Sequence, residues 1–231
     1  MDIEENVARI RAELNEAALA SGRRPEEVLL VAATKTNDAA RVRRAIAAGV
    51  DACGENRVQE LLEKYAQGAY EGAPLHFIGH LQRNKARQIV GLVSLIHGVD
   101  SVELLRVIDR CAAERGLCQD VLLEINVAGE PSKSGFAPEE LPAALEEAAR
   151  LPSLRVRGLM AIPPICASGD ENRPYFTKMK QLYVDNSAKK YDNVSMDFLS
   201  MGMSGDYLDA VACGANMVRI GSAIFGPRVY T

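Results

Sequence analysis

Two spacings of apolar residues alternate along the chain. Eight short runs are apolar at nearly every position: 29–35, 52–56, 75–81, 95–100, 121–127, 156–162, 197–203 and 217–224. Runs of this kind suit strands of a sheet covered on both faces. Between them lie stretches with helical ends, such as "NDAARVRRAIAAG", with a polar cap at Asn37 or Asp38 and a closing Gly49, and "SVELLRVIDRCAAERG", Ser101 to Gly116. The opening "MDIEENVARIRAEL" spaces Ile3, Val7, Ile10 and Leu14 along one stripe of a helix. Strand then helix, repeated eight times in a chain this long, predicts an α/β fold: a (β/α)₈ TIM barrel, one domain over residues 1–231, with an extra N-terminal helix. The eighth run ends too near the C-terminus for a full final helix, so the N-terminal helix is expected to cover that part of the wall. The loosest stretch, "PPICASGDENRP", residues 163–174, is expected to be a mobile loop over the barrel mouth.

Composition narrows the class. The 231 residues carry 27 Lys plus Arg against 31 Asp plus Glu, a formal charge of −4, which lacks the basic excess of a nucleic-acid binder. No apolar stretch reaches membrane-spanning length, and the N-terminus does not read as a signal peptide. Cys53, Cys111, Cys118, Cys166 and Cys213 are odd in number and lack C-x-x-C spacing, so neither a disulfide framework nor a zinc site is expected and a reducing cytosol fits. No linker or low-complexity tract divides the chain.

In a barrel of this kind the working groups stand at the C-terminal strand ends. These deliver Lys35 from "LLVAATKT"; Glu55 and Asn56 from "CGEN"; His76, His80, Gln82, Asn84 and Lys85 from "HFIGHLQRNK"; and Met160. The last two strands end in "LSMGMSGD" and "VRIGSAIFGP", glycine-rich turns bearing hydroxyls where barrels commonly bind phosphate. Ser200, Gly202, Ser204, Gly221 and Ser222 are the candidates. Barrel closure makes the eighth strand a neighbour of the first, so Lys35 is expected beside the phosphate cup. An amine against an apolar wall and an anion cup is what a Schiff base with a phosphorylated aldehyde requires, and pyridoxal 5′-phosphate meets both demands. Arg219 would reach its pyridine nitrogen, where a permanent cation opposes protonation and weakens the ring as an electron sink.

Each feature has a plainer reading. A strand-end lysine snorkels to water, a serine caps a helix, and a buried arginine pairs with a core carboxylate. His76 and His80, four apart on a strand, are too distant for an easy shared metal. Cys53 reads as a small core residue, and Met196, Met201 and Met203 as packing. The convergence of Lys35, the glycine-rich turns and Arg219 on adjacent strands favours the cofactor.

The motifs "TKT", "GENRVQE", "HFIGHLQRNK", "GVDS", "EINVAGEPSKSGF", "GLMAIPP", and "LSMGMSGDYLDAV" through "VRIGSAIFG" occur in the order found in the pyridoxal phosphate homeostasis proteins. The chain resembles that family over nearly its whole length. The resemblance implies an alanine-racemase-like barrel (fold type III), monomeric or weakly associating, holding pyridoxal 5′-phosphate on Lys35. Asn56 and Met160 would flank the ring; Ser200, Ser204, Gly221 and Ser222 would hold phosphate; Arg219 would face the pyridine nitrogen; Met201 and Gly202 complete the expected cofactor-binding set. It also implies buffering and delivery of the cofactor in the cytoplasm, to apo-enzymes, without a demonstrated reaction. Asn37, Leu208, Ala215 and Asn216 depart from the family pattern and are expected to lie outside the cofactor shell. The rival reading is a racemase, which needs a second acid–base group over the ring; Tyr175, Tyr183 and Tyr207 are the tyrosines weighed, and no second domain is expected to supply another. A cofactor-free Schiff-base aldolase ranks last, since the end of strand one offers only Thr34 and Thr36.

Overall fold

The computed structural model describes residues 2–164, 169–188 and 191–227. Eight parallel strands close into a barrel in sequence order: β1 (Leu29–Ala33), β2 (Ala52–Glu55), β3 (Leu75–Phe77), β4 (Leu95–Val99), β5 (Gln119–Glu124), β6 (Leu154–Met160), β7 (Val194–Ser200) and β8 (Met217–Ile220). Closure is made by β8 against β1, with Val31 opposite Arg219 and Ala32 opposite Ile220. The strands are mostly shorter than the apolar runs that announced them. The run at 75–81 pairs only through Phe77, and the run at 217–224 ends at Ile220, where the chain turns at Gly221 into a one-turn helix.

Around the barrel lie α1 (Ile3–Ala20), α2 (Ala39–Ala47), α3 (Val58–Ala66), α4 (Ala86–Ile89), α5 (Val102–Ala113), α6 (Leu141–Ala148), α7 (Arg173–Ser187), α8 (Tyr207–Ala212) and α9 (Ser222–Phe225). The stripe Ile3, Val7, Ile10, Leu14 and Ala18 of α1 is buried against Leu30, Ala32, Val218, Ile220 and Phe225, so α1 closes the wall over β8 and β1 as expected. Asn6 donates to the Ile224 carbonyl at 2.9 Å, tying α1 to α9. Of the expected mouth loop, residues 165–168, including Cys166, lie outside the described residues. The stretch Gly169–Asn172 is a 3₁₀ turn, and Pro174 sits in the first turn of α7, where it breaks no hydrogen bond.

Period-two alternation sorts the strand residues. Val31, Ala33, Ala52, Ile78, Leu95, Leu122, Met160 and Met217, contributed from around the ring, pack together as the apolar interior. A larger group, including Val42, Leu61, Leu104, Ile108, Leu145 and Phe176, fills the space between wall and helices. Continuing the inward series one step places Lys35 after Ala33 and Asn56 after Gly54, at the C-terminal rim. Gly158 of β6 has φ +140, and an added Cβ would lie 1.9 Å from the Phe198 carbonyl oxygen, so only glycine lets β6 and β7 meet there.

Candidate functional site

Strands β2, β1, β8 and β7 present one arc of the mouth. Lys35 is half-buried immediately past β1, and Thr36 after it takes the left-handed conformation at φ +63, uncommon for a β-branched residue. Hydrogen bonds hold both flanks. The Thr34 carbonyl accepts from Lys64 Nζ at 2.8 Å, and the Thr36 amide donates to Glu60 at 2.5 Å. Glu55 Oε1 accepts from Lys64 at 2.6 Å, Thr34 Oγ1 at 2.6 Å and Tyr70 at 3.1 Å. Burial pushes the Glu55 carboxyl and the Tyr70 hydroxyl upward. The end of strand one thus holds two carboxylates, a second lysine and a tyrosine, where Thr34 and Thr36 alone were expected. With three donors on one Glu55 oxygen, the cluster braces backbone.

Asn37 donates to the Lys35 carbonyl at 3.0 Å, so this departure from the family pattern touches the site after all. Asn216 braces β7, its Oδ1 accepting from Leu199 at 2.7 Å and its amide donating to Asp197; Leu208 is exposed on α8. Asn56 is half-buried at the rim with its Oδ1 buried and lacking a hydrogen-bond donor. Gly79 permits this approach: an added Cβ would stand 2.4 Å from the Asn56 carbonyl oxygen.

Across the β1–β8 seam, Ser204 Oγ lies 3.3 Å from both the Gly221 and Ala223 amides, at the start of α9. Those are long contacts for hydroxyl acceptors, and an anion would serve these donors better. Gly221 packs on Ala33, with an added Cβ 3.4 Å from the Ala33 Cβ, which sets this cup against the strand that carries Lys35. Ser222 is exposed beside it, and Gly202 turns at φ +94 where a Cβ would meet Ala210 at 2.6 Å.

Ser200, expected at the phosphate, and Met201, expected at the cofactor, face other groups. Ser200 is fully buried inside the barrel, where Arg219 Nη1 donates to its hydroxyl at 2.6 Å and His97 Nδ1 lies 3.0 Å away. Met201, one step on, faces outward into the core between wall and helices. Alternation decides both: with Met160 and Ser200 paired and inward, the next residue must turn out.

Beneath the mouth, His76, His97, Glu124, Ser200 and Arg219 form a buried polar layer. Arg219 also donates to the Ala161 carbonyl at 3.0 Å, using two of its five N–H groups rather than pairing with a carboxylate. Burial lowers its pKa to about 10, which leaves it cationic at neutral pH. His97 Nε2 stands 3.1 Å from His76 Nδ1, and burial lowers His76 to about 4 and His97 well below the ordinary value, so both are neutral. His80 lies beyond β3 and pairs with Asp100 at 2.9 Å, so the two histidines of "HFIGH" do not share a face. Gln82 precedes the 3₁₀ turn Arg83–Lys85, which contains Asn84 and Lys85, outside this arc. Cys53 is buried with its thiol pushed up to about 12, a core residue. Among the described residues no group of three or more His, Cys, Asp or Glu is arranged to hold a metal, and no helix is long and apolar enough to cross a membrane. Sequence reading missed His97, Glu124 and Lys64. A histidine inside the buried run "LIHGV" was the available signal for the first.

The alanine racemase N-terminal domain family matches residues 3–229. Pyridoxal phosphate homeostasis proteins are similar throughout: that of Pseudomonas aeruginosa is 45% identical over 99% of this chain and 96% of its own, and that of Aquifex aeolicus 40% identical over 98% of each. The chain belongs to the pyridoxal phosphate homeostasis protein family. PipY of Synechococcus elongatus PCC7942, solved with PLP bound, superposes at a TM-score of 0.84 with 34% identity, covering 97% of this chain and all of PipY. An alanine racemase of Clostridium difficile 630, at 15% identity and a TM-score of 0.71, shares the fold over 98% of this chain and 58% of its own. The two therefore share a barrel fold.

Proposed function

We propose that this chain binds pyridoxal 5′-phosphate covalently through Lys35 and serves in its homeostasis, buffering and delivering the cofactor in the cytoplasm. The observation that carries the reading is the β1–β8 seam, which packs the strand leading to Lys35, at Ala33, against the Gly221 turn whose amides face Ser204. Support comes from the relatives named for this role and from PipY, a full-length match solved with PLP bound. The residues fit the group. Asn56 offers a buried acceptor without a donor, Ser204, Gly221 and Ser222 surround amides suited to a phosphate dianion, and Met160 supplies an apolar surface at the rim. Ser200, in this reading, steadies Arg219 instead of touching phosphate.

When bound, the cofactor supplies an aldehyde for the lysine and a ring able to withdraw electrons. Arg219 remains a cation in the floor of the site, and a cation facing a pyridine nitrogen disfavours a proton there, which suits holding over turnover. The tyrosines described near the last strands are committed elsewhere. Tyr207 donates to Glu13 of α1 and Tyr183 to the Met196 carbonyl. Neither is available as a second acid–base group above the mouth. The chain is proposed to act as a monomer, with apo-enzymes as recipients.

The test is an absorption spectrum of purified protein with and without added pyridoxal 5′-phosphate. The reading expects a yellow protein, loss of the colour on borohydride reduction with the label fixed on the Lys35 peptide, and a changed spectrum in Lys35→Ala. Colourless protein that cannot be reconstituted overturns it. Sustained exchange of the α-hydrogen of L-amino acids for deuterium would overturn the non-catalytic part alone.

A further inference from the structure

We propose that the mouth cavity between β3, β5 and β6 is a subsite for a small primary ammonium ion with a polar tail, anchored by Glu124. The cavity measures about 270 Å³ and is lined by His80, Glu124, Ser132, Lys133, Ser134 and Met160 together with neighbouring backbone. Glu124, at the end of β5, is only 8% exposed, and its carboxylate has no hydrogen-bond donor and no ion-pair partner among the described residues.

Arg219 and His80 favour that charge from a distance, but none of the groups around it donates a hydrogen bond to the carboxylate. Asp100 is a second anion, already engaged by His80. Arg219 directs its hydrogen bonds to Ser200 and Ala161, and Lys133 pairs with Glu130 at 2.5 Å. Glycine at 98 keeps the space open, since an added Cβ would lie 3.3 Å from Glu124 Oε2 and 2.5 Å from the Gly79 carbonyl oxygen. A buried carboxylate without donors is costly, and a cation bearing N–H groups removes that cost. Burial and the nearby Asp100 accordingly raise Glu124 to about 6.

The opposite wall suits the tail. Asn126 ties the turn that carries Ser132 and Lys133, donating to the carbonyls of Glu130 at 2.8 Å and Lys133 at 3.3 Å and accepting from the Glu130 amide. Ser132 and Ser134 thus line the cavity from a braced turn, with the Ser134 hydroxyl 3.3 Å from His80 Nδ1. The volume equals that of roughly nine liquid waters, room for an amine of a few heavy atoms. Only Met160 is shared with the residues assigned to the cofactor, so the subsite does not depend on that assignment.

Calorimetric titration of cofactor-free protein with ethanolamine, and with ethylene glycol as the neutral counterpart, tests the proposal. Expected are saturable binding of ethanolamine, none of ethylene glycol, and affinity weaker by about tenfold or more in Glu124→Gln, the worth of a charge-assisted contact. A shift of the Met160 methyl resonance on adding ethanolamine locates the event. Because Gln replaces Glu at equal size, an unlowered thermal midpoint shows that the variant is folded. No saturable ethanolamine binding to the natural protein, equal affinity in the variant, or binding that leaves Met160 unmoved each overturns the proposal. Loss of cofactor binding in Lys35→Ala with ethanolamine binding intact would separate the two sites.

Discussion

Arg219 Nη1 and the Ser200 hydroxyl meet at 2.6 Å in the barrel interior, and Ser200 in turn stands 3.0 Å from His97. The guanidinium is thereby fixed from a neighbouring strand, β7, and through it from β4 across the barrel. A buried cation that loses one acceptor retains the cost of its desolvation, so Ser200→Ala is expected to lower stability by about 1–3 kcal/mol. Urea unfolding at pH 7.5 measures it; a loss below about 0.5 kcal/mol would mean that Arg219 finds another acceptor.

The neutral His76–His97 pair makes the barrel acid-sensitive. An unfolded histidine titrates near 6.5, whereas His76 in the fold titrates near 4. Between those values the unfolded chain binds more protons than the folded one, so stability falls as pH falls from about 6.5 towards 4. His76 alone accounts for a decline of about 3 kcal/mol over that window, and His97 acts in the same direction. Urea midpoints from pH 7 to 4 should trace this slope, and His97→Asn should flatten it.

Glu124 acts with the opposite sign. Its folded pKa of about 6 exceeds that of an unfolded glutamate, so the fold prefers the protonated form and stability drops as pH rises from about 4.5 to 6. Removing the charge at neutral pH relieves that penalty. Glu124→Gln is expected to be more stable than the natural protein by about 2 kcal/mol at pH 7, with the gain vanishing below about pH 4.5. Equal stability at both pH values would show that the carboxylate is already compensated.

The sequence made the wall and the rim readable but left much of the interior hidden. Lys35 and Asn56 follow from alternation because β1 and β2 run without interruption up to them. Arg219 and the turn at Gly221 were legible for the same reason on β8. His97 and Glu124 obey the same alternation, two residues beyond the interior Leu95 and Leu122, but a lone polar residue in an apolar run does not announce which groups the closed barrel brings to it from other strands. The direction of Ser200 and Met201 was not legible, because a motif does not say which way a side chain points; at the end of β7 the Ser200 hydroxyl meets Arg219 and His97 and Met201 turns outward.

Lys64 could be read from its sequence only as one more helical lysine, yet it joins three groups around the backbone of Lys35. Its ammonium lies 2.6 Å from Glu55, 2.8 Å from Glu60 and 2.8 Å from the Thr34 carbonyl, with 7% of its side chain exposed. Removing it leaves the Glu55 carboxylate buried without its cation, while the paired change Glu55→Gln removes the stranded charge. Lys64→Met is therefore expected to cost about 3–5 kcal/mol, and the double variant to recover a large part of that loss. Glu60 holds the Thr36 amide in its left-handed conformation, so a Lys64→Met protein that still folds should also bind pyridoxal 5′-phosphate more weakly, through misdirection of Lys35. Urea unfolding of the four proteins, followed by titration of each with the cofactor, separates the two effects: unchanged cofactor affinity in a folded Lys64→Met variant would show that the brace supports the barrel without aiming Lys35.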